Sequence, residues 1–196
     1  MGNKSNKNNN KNKTEEELPN NEYKIVFVGG IGIGAKTTLI DKINNIKVDK
    51  DISSDYGGSV VTKHVDIGNN EEIILQLWDS PGHESYRGLI PIILKNAVCI
   101  ILGYDITREE TFKEIKDYFC PTIKERCPCE LKYLIGNKID LKDNRQVSKE
   151  EGIEFAKAEG FIFFEISCST NEGIDEFYND LINNLIKLHK DNNNKL

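Results

Sequence analysis

The chain has no excess of positive charge. Its 26 Lys and Arg residues stand against 32 Asp and Glu, a formal net charge of −6 over 196 residues. General nucleic-acid binding needs a basic footprint, so that class is excluded. No apolar run reaches the roughly 18–20 residues of a membrane-spanning helix. The N-terminus has no apolar core of the signal-peptide kind. Cysteines are few and odd in number, at 99, 120, 127, 129 and 168. They read as cytosolic thiols rather than as a disulfide framework, and a cytoplasmic location is expected.

What is present divides into three parts. Residues 1–22 are almost all Asn, Lys, Glu and Ser, with Leu18 the one apolar residue after Met1. Such a segment cannot bury enough surface to offset its ordering entropy, and disorder is expected. The tail 189–196 (HKDNNNKL) has the same character. One globular domain is left, over 23–188, and a monomer is expected.

Within that domain short apolar runs alternate with helical patterns. The runs are 23–28, 59–67, 73–78, 98–104, 131–135 and 161–166. Near-continuous apolar runs suit strands covered on both faces, as in a mostly parallel sheet. The turn Gly68-Asn69-Asn70 joins the second and third runs and predicts one antiparallel hairpin. Thr107–Glu110 and Ser148–Glu151 match the helix capping box. The spacing of Ile174, Phe177, Tyr178, Leu181, Ile182, Leu185 and Ile186 predicts a long amphipathic helix. The fold class is α/β, with ligands expected at the carboxyl ends of the strands.

Motifs fall at those ends. The first strand runs into Gly29-Gly30-Ile31-Gly32-Ile33-Gly34-Ala35-Lys36-Thr37-Thr38. Strand, glycine-rich loop, Lys-Thr and helix form the context of a phosphate loop: backbone N–H groups turn around phosphate oxygens, Lys36 adds a charge, and a hydroxyl can hold magnesium. The pattern is interrupted. Gly29 and Gly34 have the required spacing, but Ala35 then separates Gly34 from Lys36; counted back from Lys36, Gly30 starts the motif and Ala35 takes the place of its second glycine. A methyl group therefore stands where backbone is expected to approach phosphate.

The third strand ends in Trp78-Asp79-Ser80-Pro81-Gly82-His83. Asp79 can orient magnesium-bound water, Gly82 can offer an amide to a terminal phosphate, and His83 can position an attacking water. The fifth strand runs into Asn137-Lys138-Ile139-Asp140. A carboxylate presents two acceptors side by side, and guanine, unlike adenine, presents two adjacent donors. Asp140 therefore selects guanine. Asn137 is expected on another edge of the base, with the Lys138 stem over its face. Ser167-Cys168-Ser169 follows the last strand, and its backbone amides can meet the guanine carbonyl.

Together these motifs resemble those of Ras-superfamily small GTPases, and most closely the Rab family. The resemblance covers about 23–188, and Leu75–Asp79, Ser85-Tyr86-Arg87 and Tyr104-Asp105-Ile106-Thr107 add to it. It implies a P-loop G domain: a six-stranded, mostly parallel sheet with one antiparallel strand and helices on both faces. It implies GTP/GDP and Mg2+ as ligands, slow GTP hydrolysis, and a switch role in membrane traffic. Effectors, exchange factors and GTPase-activating proteins are the implied partners. On that alignment Lys36 contacts the β/γ-phosphates, Thr37 and Asp79 hold the metal, Gly82 senses the γ-phosphate, Asn137, Lys138 and Asp140 read guanine, and Ser167 and Cys168 complete the base site.

The sequence also departs from the family. The stretch 51–59 has no Thr for the first switch, with Ser53 and Ser54 the nearest hydroxyls. Residues 41–55 hold no aromatic to stack on the base. His83 stands in place of Gln, and Ser169 in place of a Lys. These departures motivate the alternative of a pseudo-GTPase, an interaction module that keeps the fold without switching. Cys168 is the last cysteine, so C-terminal prenylation is not expected. Met1-Gly2-Asn3-Lys4-Ser5-Asn6-Lys7 resembles a myristoylation start, with Asn6 at the Ser/Thr position. Lys4, Lys7, Lys11 and Lys13 supply a basic segment beside it, so membrane association through the N-terminus is the corresponding expectation.

Overall fold

The computed structural model describes residues 21–33, 35–45, 52–53, 58–129 and 131–194. Seven strands form one sheet: β1 (Glu22–Val28), β2 (Ile52–Ser53), β3 (Ser59–Gly68), β4 (Glu71–Asp79), β5 (Cys99–Asp105), β6 (Leu131–Asn137) and β7 (Ile162–Ile166). Their order is β2-β3-β4-β1-β5-β6-β7. Six are the strands expected from the apolar runs; the seventh, β2, is a two-residue edge piece. β3 runs antiparallel to β4 and β2, and the other pairings are parallel.

The hairpin turn follows its chemistry. Asn69 and Asn70 both have φ 60, as the favoured two-residue hairpin turn requires, and Gly68 has φ 87 beside a register shift between Asp66 and Gly68. β1 and β5 are buried along nearly their whole length, which explains their unbroken apolar sequence.

Helices cover both faces. α1 (Thr37–Asn45) and α6 (Ile174–Asn193) pack on one face, through Leu39, Ile40, Ile43, Phe177, Leu181 and Leu185. α2 (Ile90–Ile93), α3 (Glu109–Glu114), α4 (Cys120–Arg126) and α5 (Lys149–Glu159) cover the other. A π-helical turn, Ile115–Phe119, joins α3 to α4.

Two expectations about helix ends meet different fates. At α5, the Ser148 hydroxyl accepts from the Glu151 amide at 3.1 Å, and Gly160 at φ 72 closes the helix. Ser148→Ala should lower unfolding stability by about 1 kcal/mol, read by urea denaturation. At α3 the capping box does not form. The Thr107 hydroxyl donates to Asp105 Oδ1 at 2.7 Å, because a buried carboxylate is the stronger acceptor. The Glu109 amide is met from a distance, by Gln146 Oε1 at 3.1 Å.

The C-terminal boundary is also corrected. The helix continues past 188 to Asn193 because His189 is buried and its Nδ1 pairs with the Tyr23 hydroxyl at 2.8 Å. At the other end β1 begins at Glu22, and the expected disordered segment otherwise lies outside the described residues. So do its Gly2 and the lysines beside it. No helix among the described residues is long and apolar enough to cross a membrane, and no group of three or more His, Cys, Asp or Glu side chains among them is placed to hold a metal ion.

Candidate functional site

Strand order reverses at β1, which has β4 on one side and β5 on the other. The carboxyl ends of such strands open a crevice. Register fixes what stands there: Phe27 pairs with Asp79 and Ile101, Asp105 with Asn137, and Asn137 with Ile166. Asp79, Asp105, Asn137 and Ser167 thus reach one rim from four different strands.

Two cavities share this rim. One, of about 540 Å3, is lined by Ile31, Gly32, Lys36, Thr37, Gly58, Ser59, Asp79, Ser80, Pro81 and Gly82. The other, of about 330 Å3, is lined by Thr38, Asn137, Lys138, Asp140, Leu141, Cys168 and Ser169. The first is lined by residues expected at a polyphosphate end and the second by residues expected at a base end. Gly34 and Ser54 lie outside the described residues, and of Ser53 only the backbone position in β2 is described.

At the phosphate end, Lys36 is buried and donates from Nζ to the carbonyls of Gly29 and Gly30, at 2.7 and 2.8 Å. Burial lowers its pKa, and the Asp79 and Glu114 carboxylates oppose that shift. Gly82 stands so close that a Cβ there would lie 2.9 Å from Lys36 Nζ and 3.0 Å from the Gly30 carbonyl oxygen. The Thr37 hydroxyl donates to Asp79 Oδ2. Asp79 Oδ1 is buried and has no hydrogen-bond partner among the described residues. Burial raises the Asp79 pKa; the bond from Thr37 and the charge of Lys36 pull it back. A buried carboxylate oxygen beside a hydroxyl is a hard, all-oxygen donor set, which fits a magnesium ion.

At the base end, Asp140 is exposed on the rim, and its Oδ1 accepts from the buried Ser167 hydroxyl at 2.6 Å. The amides of Ser169 and Thr170 donate to that same Ser167 oxygen, at 3.2 and 3.0 Å. Ser167 therefore aims the carboxylate rather than facing the cavity itself. Cys168 is buried, and burial pushes its thiol up to about 11, so it is neutral there.

Asn137 lines the base-end cavity, and its side chain is also engaged by two loops. Its Nδ2 donates to the Ile33 carbonyl at 2.9 Å and its Oδ1 accepts from the Cys168 amide at 3.1 Å. It ties the phosphate loop to the loop after β7. Lys138 has φ 73, and its Nζ reaches the Gly32 carbonyl at 3.1 Å and Asp105 Oδ2 at 2.6 Å.

Asp105 was legible only as part of a family-like stretch, yet it is the hub of the rim. It is fully buried and takes Lys138, Arg108 Nε at 3.1 Å, and the Thr107 amide and hydroxyl. Burial pushes its carboxyl up, but the bonds from Lys138 and Thr107 outweigh burial and hold it below the usual carboxylate range. Arg108 continues to the Ile31 carbonyl at 2.9 Å, so two cations strap the loop to one anion. No sequence signal marked Arg108 for this role.

His83 caps the short helical turn Glu84–Leu89, its Nδ1 accepting from the Ser85 amide at 3.2 Å. A neutral ring that accepts at Nδ1 carries its proton on Nε2. That nitrogen is a donor, able to orient a water but not to take its proton. The same turn is held against α3 and the π-helical turn: Arg87 pairs with Glu114, and the Tyr118 hydroxyl donates to the Arg87 carbonyl at 2.9 Å.

Sequence comparison agrees with this geometry. The model of the Ras family matches residues 24–187. The chain is 33% identical over 168 residues to Ras-related protein Rab-2B of Dictyostelium discoideum, covering 84% of this chain and 81% of that protein. It is 32% identical over 165 residues to Ras-related protein RABC1 of Arabidopsis thaliana, covering 82% and 75%. It is 31% identical over 170 residues to human Ras-related protein Rab-30, covering 87% and 83%.

Proposed function

This chain belongs to the Ras family and is Rab-like, and from that premise we propose that it is a guanine-nucleotide switch acting in membrane traffic. It binds GDP and GTP with Mg2+, hydrolyses GTP slowly, and meets effectors, exchange factors and GTPase-activating proteins through the surface around residues 48–62 and 80–92. The observation that carries the reading is the Asp140 carboxylate on the rim of the base-end cavity, aimed by Ser167, with the Lys36 cavity on the same rim of the sheet.

The residues divide the work. Asp140 pairs with the two adjacent donors of guanine. Lys36 exchanges its carbonyl partners for phosphate oxygens and offsets charge on them. Thr37 and Asp79 would hold the metal, which would supply positive charge to offset that of the phosphates. Gly82, with no side chain, lets the second switch close on the phosphate loop. His83 Nε2–H orients the attacking water without accepting its proton. A donor in that place supports slow hydrolysis. The N-terminal segment, through Gly2 acylation and its lysines, is the proposed membrane contact.

Titration of the purified protein with fluorescent GDP, GTP and ATP, with and without Mg2+, tests the proposal. Micromolar or tighter guanine binding, strengthened by Mg2+ and without competition from ATP, is expected. Preference for ATP would end the reading. Guanine binding with no phosphate release, and equal partner affinity in both nucleotide states, would favour the non-switching module.

A further inference from the structure

The interrupted phosphate-loop pattern has a counterpart in the middle of the sheet. Ala35 is buried, and its methyl joins the core on the α1 and α6 face. It therefore points away from the cavity that Lys36 and Thr37 line. Below it lies Gly103, in the centre of β5 and among residues that are all buried. Glycine inside a strand is unfavourable unless something must approach the backbone closely. Here something does. A Cβ at Gly103 would stand 2.7 Å from the Ala35 Cβ and 3.0 Å from Ile33 Cδ1. The Gly103 carbonyl in turn lies where a Cβ of Gly29 would be, 2.6 Å away.

We infer that Gly103 is a positioning residue for the nucleotide site: it supplies the space into which the Ala35 methyl turns, so that the methyl stays out of the cavity lined by Lys36 and Thr37. The methyl thus costs the site no volume, and Lys36 closes the loop onto Gly29 and Gly30. A side chain at 103 would push Ala35 upward. The displacement would pass to Lys36 and Thr37, its immediate neighbours in the chain. The inference deepens the nucleotide-binding reading, and its affinity arm rests on that reading.

The test moves one methyl across the contact. Wild type, Gly103→Ala, Ala35→Gly and the double variant Ala35→Gly/Gly103→Ala are compared as full-length chains. Fluorescent-GDP titration with Mg2+ and thermal melting are the two readouts. Gly103→Ala is expected to weaken GDP binding at least about tenfold and to lower the melting temperature, because overpacking a close contact displaces its neighbours. Ala35→Gly alone lowers the melting temperature by a few degrees through its cavity and added chain freedom. In the double variant the new methyl has lost its nearest neighbour; Ile33 Cδ1, the flexible end of a side chain, is left at 3.0 Å and the Cα of residue 35 at an ordinary contact distance of 3.9 Å. It should bind GDP at least about fivefold more tightly than Gly103→Ala, a non-additivity that only contacting residues show.

Gly103→Ala behaving like wild type in both readouts would overturn the inference. So would effects of the two single changes that simply add. Absence of GDP binding in the wild type overturns the nucleotide reading itself; the melting arm then decides the packing contact on its own.

Discussion

Asp140→Asn is expected to weaken GDP binding by about 100-fold or more and to transfer preference to xanthosine diphosphate. The carboxylate presents two acceptors. The amide keeps one and turns the other into a donor, facing a donor of guanine. Hydrogen bonds to a charged group contribute about 1.5–3 kcal/mol each, and each 1.4 kcal/mol is tenfold in affinity. Losing one bond and adding a donor–donor conflict therefore exceeds two orders of magnitude. Xanthine carries a carbonyl where guanine carries its amino group, so the new amide donor regains a partner there. Ser167→Ala should act in the same direction but more weakly, since it removes the hydroxyl that holds Asp140 Oδ1 without touching the carboxylate. Competition of GDP and xanthosine diphosphate against a fluorescent nucleotide measures both. An Asp140→Asn protein that keeps its affinity for GDP would remove the basis for guanine selection.

Asp105→Asn is expected to lower unfolding stability by about 3 kcal/mol, the low end of what breaking a buried ion pair costs. For a chain of this length that is a loss of about 6–12 °C in melting temperature. The side chain is fully buried, while Lys138 and Arg108 are both partly exposed and regain water, which limits the penalty. The loss should reach the nucleotide site too, because these cations hold the carbonyls of Gly32 and Ile31.

The pH dependence has a fixed sign. The folded carboxyl of Asp105 titrates below its ordinary value, near 3.9 in the unfolded chain. Its contribution is therefore complete above that value and is lost as pH falls through the folded pKa. Asp105→Asn should flatten the acid limb of the stability curve while lowering the plateau at neutral pH. Urea unfolding at pH 7 and at stepwise lower pH reads both. An unchanged plateau would mean that the two cations are held by something other than Asp105.

The strands, the hairpin and the three loop motifs were legible in the sequence because each is encoded in adjacent residues. Period, glycine spacing and turn chemistry report on contacts a few positions apart. That was enough to place Lys36, Asp79 and Asp140 beyond or at the carboxyl ends of strands and to propose guanine selection from one carboxylate. The tertiary structure decided the rest. Asn137 became a tie between two loops, Ser167 the holder of Asp140, and Asp105 with Arg108 the strap of the phosphate loop. The methyl of Ala35, an apparent obstruction, found room over Gly103. Each of these depends on which strands lie side by side and in what register. The amino-acid order does not display that alignment; only the packed sheet brings such distant residues within bonding or contact distance.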